Sequence, residues 1–244
     1  MKKIIPLEAI ARWCGAYVAP RRCLVCGTPD GFALCDACLD RLFLSALRRP
    51  RPFGRCDTCG RPLISLKGLC TSCKNTDALA SVDRAFPLFS YSGYAPSIVA
   101  EWKTRGNRSL SWAFARCLSD ALVESLGTGP TEGAVVPVPP RPGKIRRRGW
   151  DQVDDLARAL ERGGSVPVTR CLVRDSAHEQ KLLGREARAH NLRGSIRVRK
   201  GAAVPKRAVV LDDLMTTGAT INACAVALRE AGCAEVYGVT LFYD

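Results

Sequence analysis

Several signals that define other protein classes are missing from this chain of 244 residues. No stretch approaches the roughly 18 consecutive apolar residues that a membrane-spanning helix requires. Glu8 and Arg12 interrupt the apolar run near the N-terminus, so we expect this run not to be the central segment of a signal peptide. We therefore expect no membrane insertion and a cytoplasmic location, where cysteines stay reduced. The first 20 residues instead predict a short amphipathic helix.

Two common catalytic signatures are also missing. No GxxxxGK[ST] pattern occurs, so the chain does not carry a Walker-type phosphate loop. Cys117, Cys224 and Cys233 have no histidine or second cysteine paired with them in the sequence. They are therefore predicted to be buried free thiols rather than nucleophiles.

Acidic residues are too few to balance the basic ones. The chain has 37 Lys and Arg against 23 Asp and Glu, a net charge of +14 at pH 7. Such an excess predicts a polyanionic partner, which could be nucleic acid, a polyphosphate substrate or an anionic surface. The hydrophobic content of 47% is enough for a core, and the length predicts one or two domains.

Cysteine is abundant and regularly spaced in the first 80 residues. Each CxxC pair can direct two thiolates at one metal, and two pairs complete a closed, structural Cys₄ zinc site. Gly27 and Gly60 follow two of the pairs, where such turns need a positive φ. Consecutive pairing, with two zinc ions, is the simplest arrangement; interleaved pairing and disulfides are the alternatives. The four pairs are Cys23/Cys26, Cys35/Cys38, Cys56/Cys59 and Cys70/Cys73.

The composition changes near residue 80, where cysteine pairs give way to alternating strands and helices. Helices are predicted over 94–105, 110–126 and 151–161, and a strand over 134–137. This alternation is typical of an α/β domain with a mostly parallel sheet. We therefore expect an N-terminal helix and zinc module in residues 1–80 and an α/β domain in residues 81–244.

The stretch AVVLDDLMTTGATI, residues 208–221, carries the strongest functional signal. A buried strand is followed by Asp212 and Asp213, which fall at the edge of the sheet where α/β proteins bind ligands. Ionised carboxylates only accept hydrogen bonds, so this pair suits a vicinal diol or a hydrated cation. Residues 216–220 add backbone N–H groups, hydroxyls and a helix start, which together suit a phosphate. The plainer alternative is a helix capped by Thr217 or Thr220.

The densest positive charge lies in the run RPGKIRRRGWDQ, residues 141–152. Proline and glycine here predict a loop rather than a helix, and Arg146, Arg147 and Arg148 could close over an anion. Trp150 could stack on a nucleobase or belong to the core. Lys103, near the end of a predicted helix, is either a solvated lysine or a contact for a pyrophosphate.

The segment 208–221 closely resembles the phosphoribosyl pyrophosphate (PRPP) loop of type I phosphoribosyltransferases. This resemblance implies that Asp212 and Asp213 bind the ribose hydroxyls and that residues 216–220 surround the 5′-phosphate. It makes Asp212, Asp213 and Lys103 the candidate catalytic residues. The implied PRPP-binding set is Asp212, Asp213, Leu214, Met215, Thr216, Thr217, Gly218, Ala219 and Thr220.

Over nearly its whole length the chain resembles the ComF family. The resemblance rests on PRRCLVCG, VPVPP, RRRGWDQ, Gln180 with Leu183, Arg188 with Asn191, and VVLDDLMTTGAT. Two positions depart from the family pattern. Asp151 stands where the family usually has Asn, and Ile196 stands where it usually has Phe.

The resemblance implies a type I phosphoribosyltransferase-like fold, with a mostly parallel sheet flanked by helices and a small N-terminal zinc-ribbon domain. It implies two structural zinc ions, magnesium with PRPP, and phosphoribosyl transfer with release of pyrophosphate. It also implies a link to DNA uptake, with single-stranded DNA and uptake-machinery proteins as partners. The alternative function is non-catalytic DNA binding through the basic run and the zinc ribbons. Both a monomer and a homodimer are compatible with the sequence.

Overall fold

The structure is a computed structural model that describes residues 21–30, 33–44, 54–65, 68–126, 133–164, 166–174 and 195–244, with only the backbone at 120, 121 and 123–126. The predicted helix of residues 1–20 lies outside the described residues, as do Gln180, Leu183, Arg185, Arg188 and Asn191. In the part of the chain that is described, no helix is both long and apolar enough to cross a membrane.

Short elements of the cysteine-rich segment come first along the chain, and longer strands and helices follow. In chain order these are β1 (Arg21–Arg22), β2 (Pro29–Asp30), α1 (Asp36–Leu39), a π-helical turn (Asp40–Leu44), α2 (Thr71–Asn75), β3 (Arg84–Ser90), α3 (Ala95–Lys103), α4 (Ser109–Leu126), β4 (Gly133–Pro137), α5 (Lys144–Arg148), α6 (Gln152–Arg162), β5 (Leu172–Arg174), β6 (Ile196–Val198), β7 (Arg207–Met215), α7 (Ala219–Glu230) and β8 (Glu235–Tyr243).

The central sheet has four strands in the order β3-β8-β7-β4, and every pairing is parallel. β7 and β8 therefore occupy the middle, although they are the last strands of the chain. β5 and β6 form a separate antiparallel pair. The prediction of a mostly parallel sheet flanked by helices is confirmed.

Side chains of β7 alternate between two cores, one on each face of the sheet, because successive residues of a strand point to opposite faces. Val209 and Leu211 pack with α3, α4 and α6, and we call this side the α4 face. Ala208 and Val210 pack with α7 and the β5–β6 pair, and we call this side the α7 face. The four strand residues are fully buried.

Each half of the cysteine-rich N-terminal segment packs against a different face of this sheet. Cys23 and Cys38 belong to the core of the α4 face, whereas Cys56 and Cys59 belong to the core of the α7 face. Residues predicted as an N-terminal unit therefore contribute to both cores. The cysteine-rich segment therefore packs against both faces of the sheet.

The prediction of a loop over the basic run is wrong for its central part. Residues Lys144–Arg148 form the short helix α5, which contains Arg146, Arg147 and Arg148. Gly143 and Gly149 bracket this helix in the left-handed conformation, with φ of 73° and 74°. Glycine adopts that conformation without strain, so the helix can start and stop abruptly. Lysine, isoleucine and arginine between them tolerate or favour helix.

Candidate functional site

The structure brings the eight cysteines together as two clusters in consecutive order. Within each cluster all four Sγ atoms lie within 4.8 Å of one another. Consecutive pairing is therefore the arrangement present, and the interleaved alternative is not. The clusters are Cys23, Cys26, Cys35 and Cys38, called the first cluster, and Cys56, Cys59, Cys70 and Cys73, called the second cluster.

Sulfur separations fit zinc rather than disulfides. The Sγ atoms of Cys26 and Cys35 are 3.7 Å apart, as are those of Cys59 and Cys70. Zn–S bonds of about 2.3 Å in a tetrahedron place sulfurs about 3.8 Å apart, whereas a disulfide requires about 2.05 Å. The eight thiols are free in the structure. The donor set can therefore hold two structural zinc ions.

The two clusters share one backbone design. In the first, the Cys23 N–H donates to Thr28 O and the Gly27 N–H donates to Cys23 O, both at 2.9 Å. In the second, the Cys56 N–H donates to Arg61 O, and a matching bond joins Gly60 N to Cys56 O, again at 2.9 Å. Gly27 and Gly60 have φ of 73° and 68°, which confirms the predicted turns. Thr28 and Arg61 thus occupy equivalent positions.

In each cluster the surroundings of one thiol lower its pKa to about 6. The Thr28 hydroxyl and backbone lower the pKa of Cys26 to about 6. Burial raises the pKa of Cys56, but N–H donors of Cys70, Cys59 and Thr58 outweigh it and lower that pKa to about 6. Zinc binds the thiolate form, so these two sulfurs are ready first ligands.

Asp212 and Asp213 lie within β7, and the alternation of the strand places them on opposite faces of the sheet. Asp213 follows Val209 and Leu211 towards the α4 face, and Asp212 follows Val210 towards the α7 face. The interpretation of the two acids as one adjacent pair is therefore refined: they flank the end of the strand from both sides.

Asp213 is neutralised by residues of the α4 face. Its Oδ2 lies 2.8 Å from Lys103 Nζ and accepts a hydrogen bond from Gln152 Nε2. Lys103 is the last residue of α3, and Gln152 is the first residue of α6. The structure thus places Lys103 beside Asp213 in an ion pair. It does not lie out in solvent as an isolated charge.

Asp212 has a different environment on the α7 face. Burial of the carboxyl, and then the charge of Asp213, raise the pKa of Asp212 to about 7. One oxygen accepts the N–H of Asp213 at 2.9 Å. Part of the side chain remains accessible at the sheet edge. Asp212 can therefore change its protonation state near neutral pH. A ligand that brings a cation or a hydroxyl to this carboxyl would control that state.

Residues 216–220, which we call the phosphate loop after their predicted role, comprise the connection between β7 and α7 and the first two residues of α7. Gly218 is the N-cap of α7, is buried, and has φ of 84°. The Thr217 hydroxyl accepts the N–H of Ala219 at 3.3 Å, but the N-cap is Gly218, so the prediction of Thr217 or Thr220 as the cap is wrong. The hydroxyl-bearing Thr216 and Thr217 are exposed at the start of a helix of twelve residues. The loop therefore offers an accessible anion site.

Not every residue of the predicted set faces this site with its side chain. Met215 is 2% exposed and belongs to the core of the α7 face, whereas Leu214 packs partly buried against the opposite core. Both contribute backbone to the strand end. Their side chains serve packing.

The basic helix α5 is tied to the same edge of the sheet. Arg148 donates to the carbonyl oxygen of Lys103 at 3.3 Å, and Lys144 Nζ lies 2.6 Å from Asp151 Oδ2. Lys144 also donates to the side chain of Gln152. Arg146 and Arg147 remain exposed. The helix is therefore held beside the Lys103–Asp213 pair while its outer arginines are open to solvent.

The departure from the family pattern at residue 151 has a structural explanation. Asp151 is the N-cap of α6 and accepts the N–H groups of Val153 and Asp154. An Asn side chain has the same acceptor oxygen, so either residue can cap the helix. Asp151 gains in addition the ion pair with Lys144. Trp150 packs partly buried against the core of the α4 face, with Arg108 over its ring, which favours the core interpretation.

Two arginines near the site were not predicted from the sequence. Arg174 ends β5, and within the described parts of the chain its buried Nε and Nη2 have no hydrogen-bond partner. The charges near it include Asp212, Asp151 and Arg141, and burial lowers the pKa of its guanidinium. Arg61 donates to carbonyl oxygens of Met215 and Thr216. Neither arginine belongs to a motif, so no local signal marked them.

Comparisons with known proteins point to competence proteins. No family model matches the sequence. The chain is 26% identical over 209 residues to Competence protein F of Haemophilus influenzae, which covers 83% of this chain and 87% of that protein. It is 28% identical over 151 residues to Competence protein ComFC of Streptococcus pneumoniae, with 61% and 63% covered.

One solved structure with partial similarity is the B. subtilis glutamine phosphoribosylpyrophosphate (PRPP) amidotransferase complexed with ADP and GMP. The identity is 19% and the TM-score is 0.37. The match covers 55% of this chain and 26% of that one.

Proposed function

We propose that this chain is a PRPP-binding protein of the phosphoribosyltransferase type that acts in DNA uptake. The premise is its similarity to two competence proteins, which supports assigning it to the ComF family. The observation that supports it most directly is the single sheet edge where Asp212, Asp213, Lys103 and the phosphate loop meet. An anion site next to two carboxylates matches a sugar phosphate, which has a phosphate at one end and a diol beside it.

The 5′-phosphate would occupy the phosphate loop. Backbone N–H groups at the start of α7 and the exposed hydroxyls of Thr216 and Thr217 would donate to it. Gly218 lets the chain turn at φ of 84° without strain. The ribose hydroxyls would then donate to Asp212 and Asp213 from the two sides of the strand end.

The pyrophosphate would lie towards α3 and α5. Lys103, together with Arg146, Arg147 and Arg148, would supply positive charge to it. Lys103 pairs with Asp213 in this structure, so binding would exchange that partner for a phosphate oxygen. Arg174, whose buried N–H groups lack partners in the described regions, could donate to the same ligand from the α7 face.

Magnesium fits this site through the carboxylates and the substrate together. The ion is typically held by one or two protein carboxylates plus phosphate oxygens, and Asp212 and Asp213 offer two. When bound, magnesium would neutralise charge on the pyrophosphate. Two zinc ions, held by the first and second clusters, would remain structural because four thiolates leave no open position. The reducing cytoplasm would keep these thiols available.

The reaction would transfer the phosphoribosyl group. A nucleophilic nitrogen of the acceptor forms a bond to C1′ while the bond from C1′ to the pyrophosphate oxygen breaks. Pyrophosphate leaves with the electron pair, and Lys103 with the arginines of α5 stabilises its charge. The proton released by the acceptor nitrogen would pass to a carboxylate at the sheet edge or to water.

Calorimetry with PRPP and Mg²⁺ tests the binding part. Wild-type protein should release or absorb heat at one site, and the double variant Asp212→Asn/Asp213→Asn should bind at least about 100-fold more weakly, since each charged hydrogen bond contributes about 1.5–3 kcal/mol. Asp36→Asn is the matched control, because Asp36 pairs with Arg116 on the surface, away from the sheet edge. Absence of heat, or equal affinity of the double variant, would contradict the proposal.

A second function, binding of single-stranded DNA, is favoured by one specific observation. Arg146, Arg147 and Arg148 are exposed on α5, in a chain of net charge +14. Contacts to phosphates should make the affinity fall steeply with salt. A labelled oligonucleotide titrated at several salt concentrations should show a slope that becomes shallower by about two for Arg146→Ala/Arg147→Ala. A salt-independent affinity would rule this function out.

A further inference from the structure

An arginine of the second cluster contacts the phosphate loop directly. Arg61 Nη2 lies 3.4 Å from Met215 O and also donates to Thr216 O. Arg61 immediately follows the second CxxC turn, and its own carbonyl accepts the N–H of Cys56 at 2.9 Å. The backbone position of this arginine is therefore set by the fold of the second cluster.

The segment that follows the second cluster extends this contact along α7. A Cβ at Gly218 would lie 2.7 Å from Leu79 Cδ2, so Leu79 packs tightly against the glycine of the loop. The Ser81 N–H donates to Asn222 Oδ1 at 2.8 Å, one turn further into the helix. Leu79 and Asn222 are both buried. The phosphate loop thus rests on residues 79–81 as well as on Arg61.

The second cluster is itself anchored to the sheet. The Ala85 N–H of β3 donates to Thr58 O at 2.8 Å. A Cβ at Gly60 would lie 2.1 Å from Ala85 O, so the turn is in direct backbone contact with the strand. Arg55 donates to Gly60 O at 2.6 Å and to Pro87 O at 2.8 Å. The cluster therefore provides a fixed base from which Arg61 reaches the loop.

Holding these carbonyls also sets the amides of the loop. In a trans peptide the C=O and the following N–H point in opposite directions. When Met215 O and Thr216 O turn towards Arg61, the N–H groups of Thr216 and Thr217 turn away from it. These two N–H groups lie just before Gly218, the N-cap of α7, and are the backbone donors that this part of the phosphate loop would offer to an anion. Met215 O also accepts the N–H of Asp244 at 3.2 Å, so the guanidinium shares that peptide plane with Asp244 and acts mainly on the plane between Thr216 and Thr217.

We propose that Arg61 is a positioning residue through which the second zinc cluster orders the phosphate loop. It acts on the peptide planes of residues 215–217 rather than on the reacting atoms. Anion binding by the loop then depends on the second cluster and is independent of the first. The identity of the anion as a 5′-phosphate rests on the proposed function, whereas the ordering of the loop does not.

Three variants test this role. Arg61→Ala removes the contact, and Arg61→Lys keeps a charged donor. Arg22→Ala is the matched control, because Arg22 also lies beside a CxxC turn but donates to Gly27 O within its own turn. Hydrogen exchange of the amides at 216–218 is measured without any ligand, and PRPP with Mg²⁺ is titrated by calorimetry. Native mass spectrometry reports the zinc content.

Arg61→Ala should raise the exchange rates of these amides about tenfold and weaken PRPP binding about tenfold, which equals about 1.4 kcal/mol. Its zinc content should stay that of the wild type. Arg61→Lys should recover part of both effects, because lysine can still donate to one carbonyl, and Arg22→Ala should change neither quantity.

The outcomes separate the two proposals. Unchanged exchange in Arg61→Ala overturns the positioning role, whatever happens to PRPP. Weaker PRPP binding with unchanged exchange also overturns it, because Arg61 would then touch the ligand itself. Faster exchange in a protein whose wild type does not bind PRPP supports the positioning role and rejects PRPP as the anion.

Discussion

The two faces of the sheet carry equivalent parts that are connected to the site in different ways. Each face has a four-cysteine cluster with the same backbone hydrogen bonds and one acid of the pair at the end of β7. At equivalent positions, the Thr28 hydroxyl lies 3.2 Å from Cys26 Sγ, inside its own cluster, whereas Arg61 reaches the phosphate loop. A repeated zinc turn has thus kept its internal design while only one copy contacts the loop.

The acids show the same contrast. Asp213 on the α4 face is paired with Lys103 and Gln152. Asp212 on the α7 face is half-buried beside Asp213, and burial of its carboxyl raises its pKa to about 7. One acid therefore has a fixed charge partner, and the other has a charge that pH or a ligand can change. The α7 face therefore carries the acid whose charge can change near neutral pH.

Removing one cysteine from each cluster in turn should give the largest difference between the two faces of the sheet. Cys56→Ser and Cys23→Ser each remove a buried zinc ligand, so each should lose about one zinc ion and several kcal/mol of stability. Only Cys56→Ser should also raise amide exchange at 216–218 and weaken PRPP binding by about tenfold or more, because the turn that holds Arg61 in place would be disrupted. Native mass spectrometry and hydrogen exchange at low temperature provide the measurements.

Equal disorder of the phosphate loop in Cys23→Ser would contradict the expectation that only the second cluster orders this loop. Should Cys56→Ser fail to fold, Cys73→Ser opens the same cluster at a half-buried ligand. Cys26→Ser is its matched counterpart in the first cluster, where Cys26 is exposed.

A glycine in each turn gives the next largest difference. Gly27→Ala should lower the free energy of unfolding by about 1 kcal/mol, since alanine is strained at φ of 73° but meets no atom within 4 Å. Gly60→Ala should lower it by about 3–5 kcal/mol, because a Cβ would also collide with Ala85 O at 2.1 Å. Urea denaturation with zinc present measures both. Equal losses would show that the second turn is not docked on β3.

The parts of the site that the sequence predicts are those encoded within a few residues. A CxxC turn places two thiolates by its own geometry, and the segment 208–221 contains strand, acids, loop and helix start in order. Both were predicted because their chemistry is local. The helix α5 was missed because Gly143 and Gly149 were interpreted as loop residues, although glycine also brackets short helices.

What the sequence did not predict depends on distant contacts. Arg61 and Met215 are 154 positions apart, and their contact exists because β8 and β7 lie between β3 and β4. The strand order does not follow from the spacing of elements along the chain. The split of Asp212 and Asp213 follows from the position of both within β7, because successive residues of a strand point to opposite faces. The alternation ends after Asp213, since Leu214 packs with the core of the α4 face and Met215 with that of the α7 face.

The pH dependence of stability should distinguish the two acids. The folded pKa of Asp212, about 7, lies above the unfolded value near 3.9, so its protonation stabilises the fold at low pH and this contribution is lost as pH rises from about 4 to 7. Asp212→Asn should therefore stabilise the ligand-free protein by about 2 kcal/mol at pH 8 relative to wild type, after allowance for its partial exposure. At pH 4 the two should be equal.

Asp213→Asn should behave in the opposite way at pH 8. It leaves Lys103 without its carboxylate partner and should destabilise the protein by about 1 kcal/mol or more. Thermal unfolding of the three proteins at pH 4, 6 and 8 decides between these expectations. A destabilised Asp212→Asn at pH 8 would mean that the acid is held by partners as strong as those of Asp213.

The smallest effect is expected at the position equivalent to Arg61. Thr28→Val removes the hydroxyl that is the main cause of the low pKa of Cys26, so this pKa should rise from about 6 towards the ordinary thiol value. Alkylation of the zinc-free protein at pH 7 should slow about twofold at Cys26, because less of it is thiolate. Amide exchange at 216–218 should not change, since Thr28 contacts its own cluster. If Thr28→Val loosened the phosphate loop as Arg61→Ala does, both turns would be coupled to the site, and the difference between the faces would lie in their acids alone.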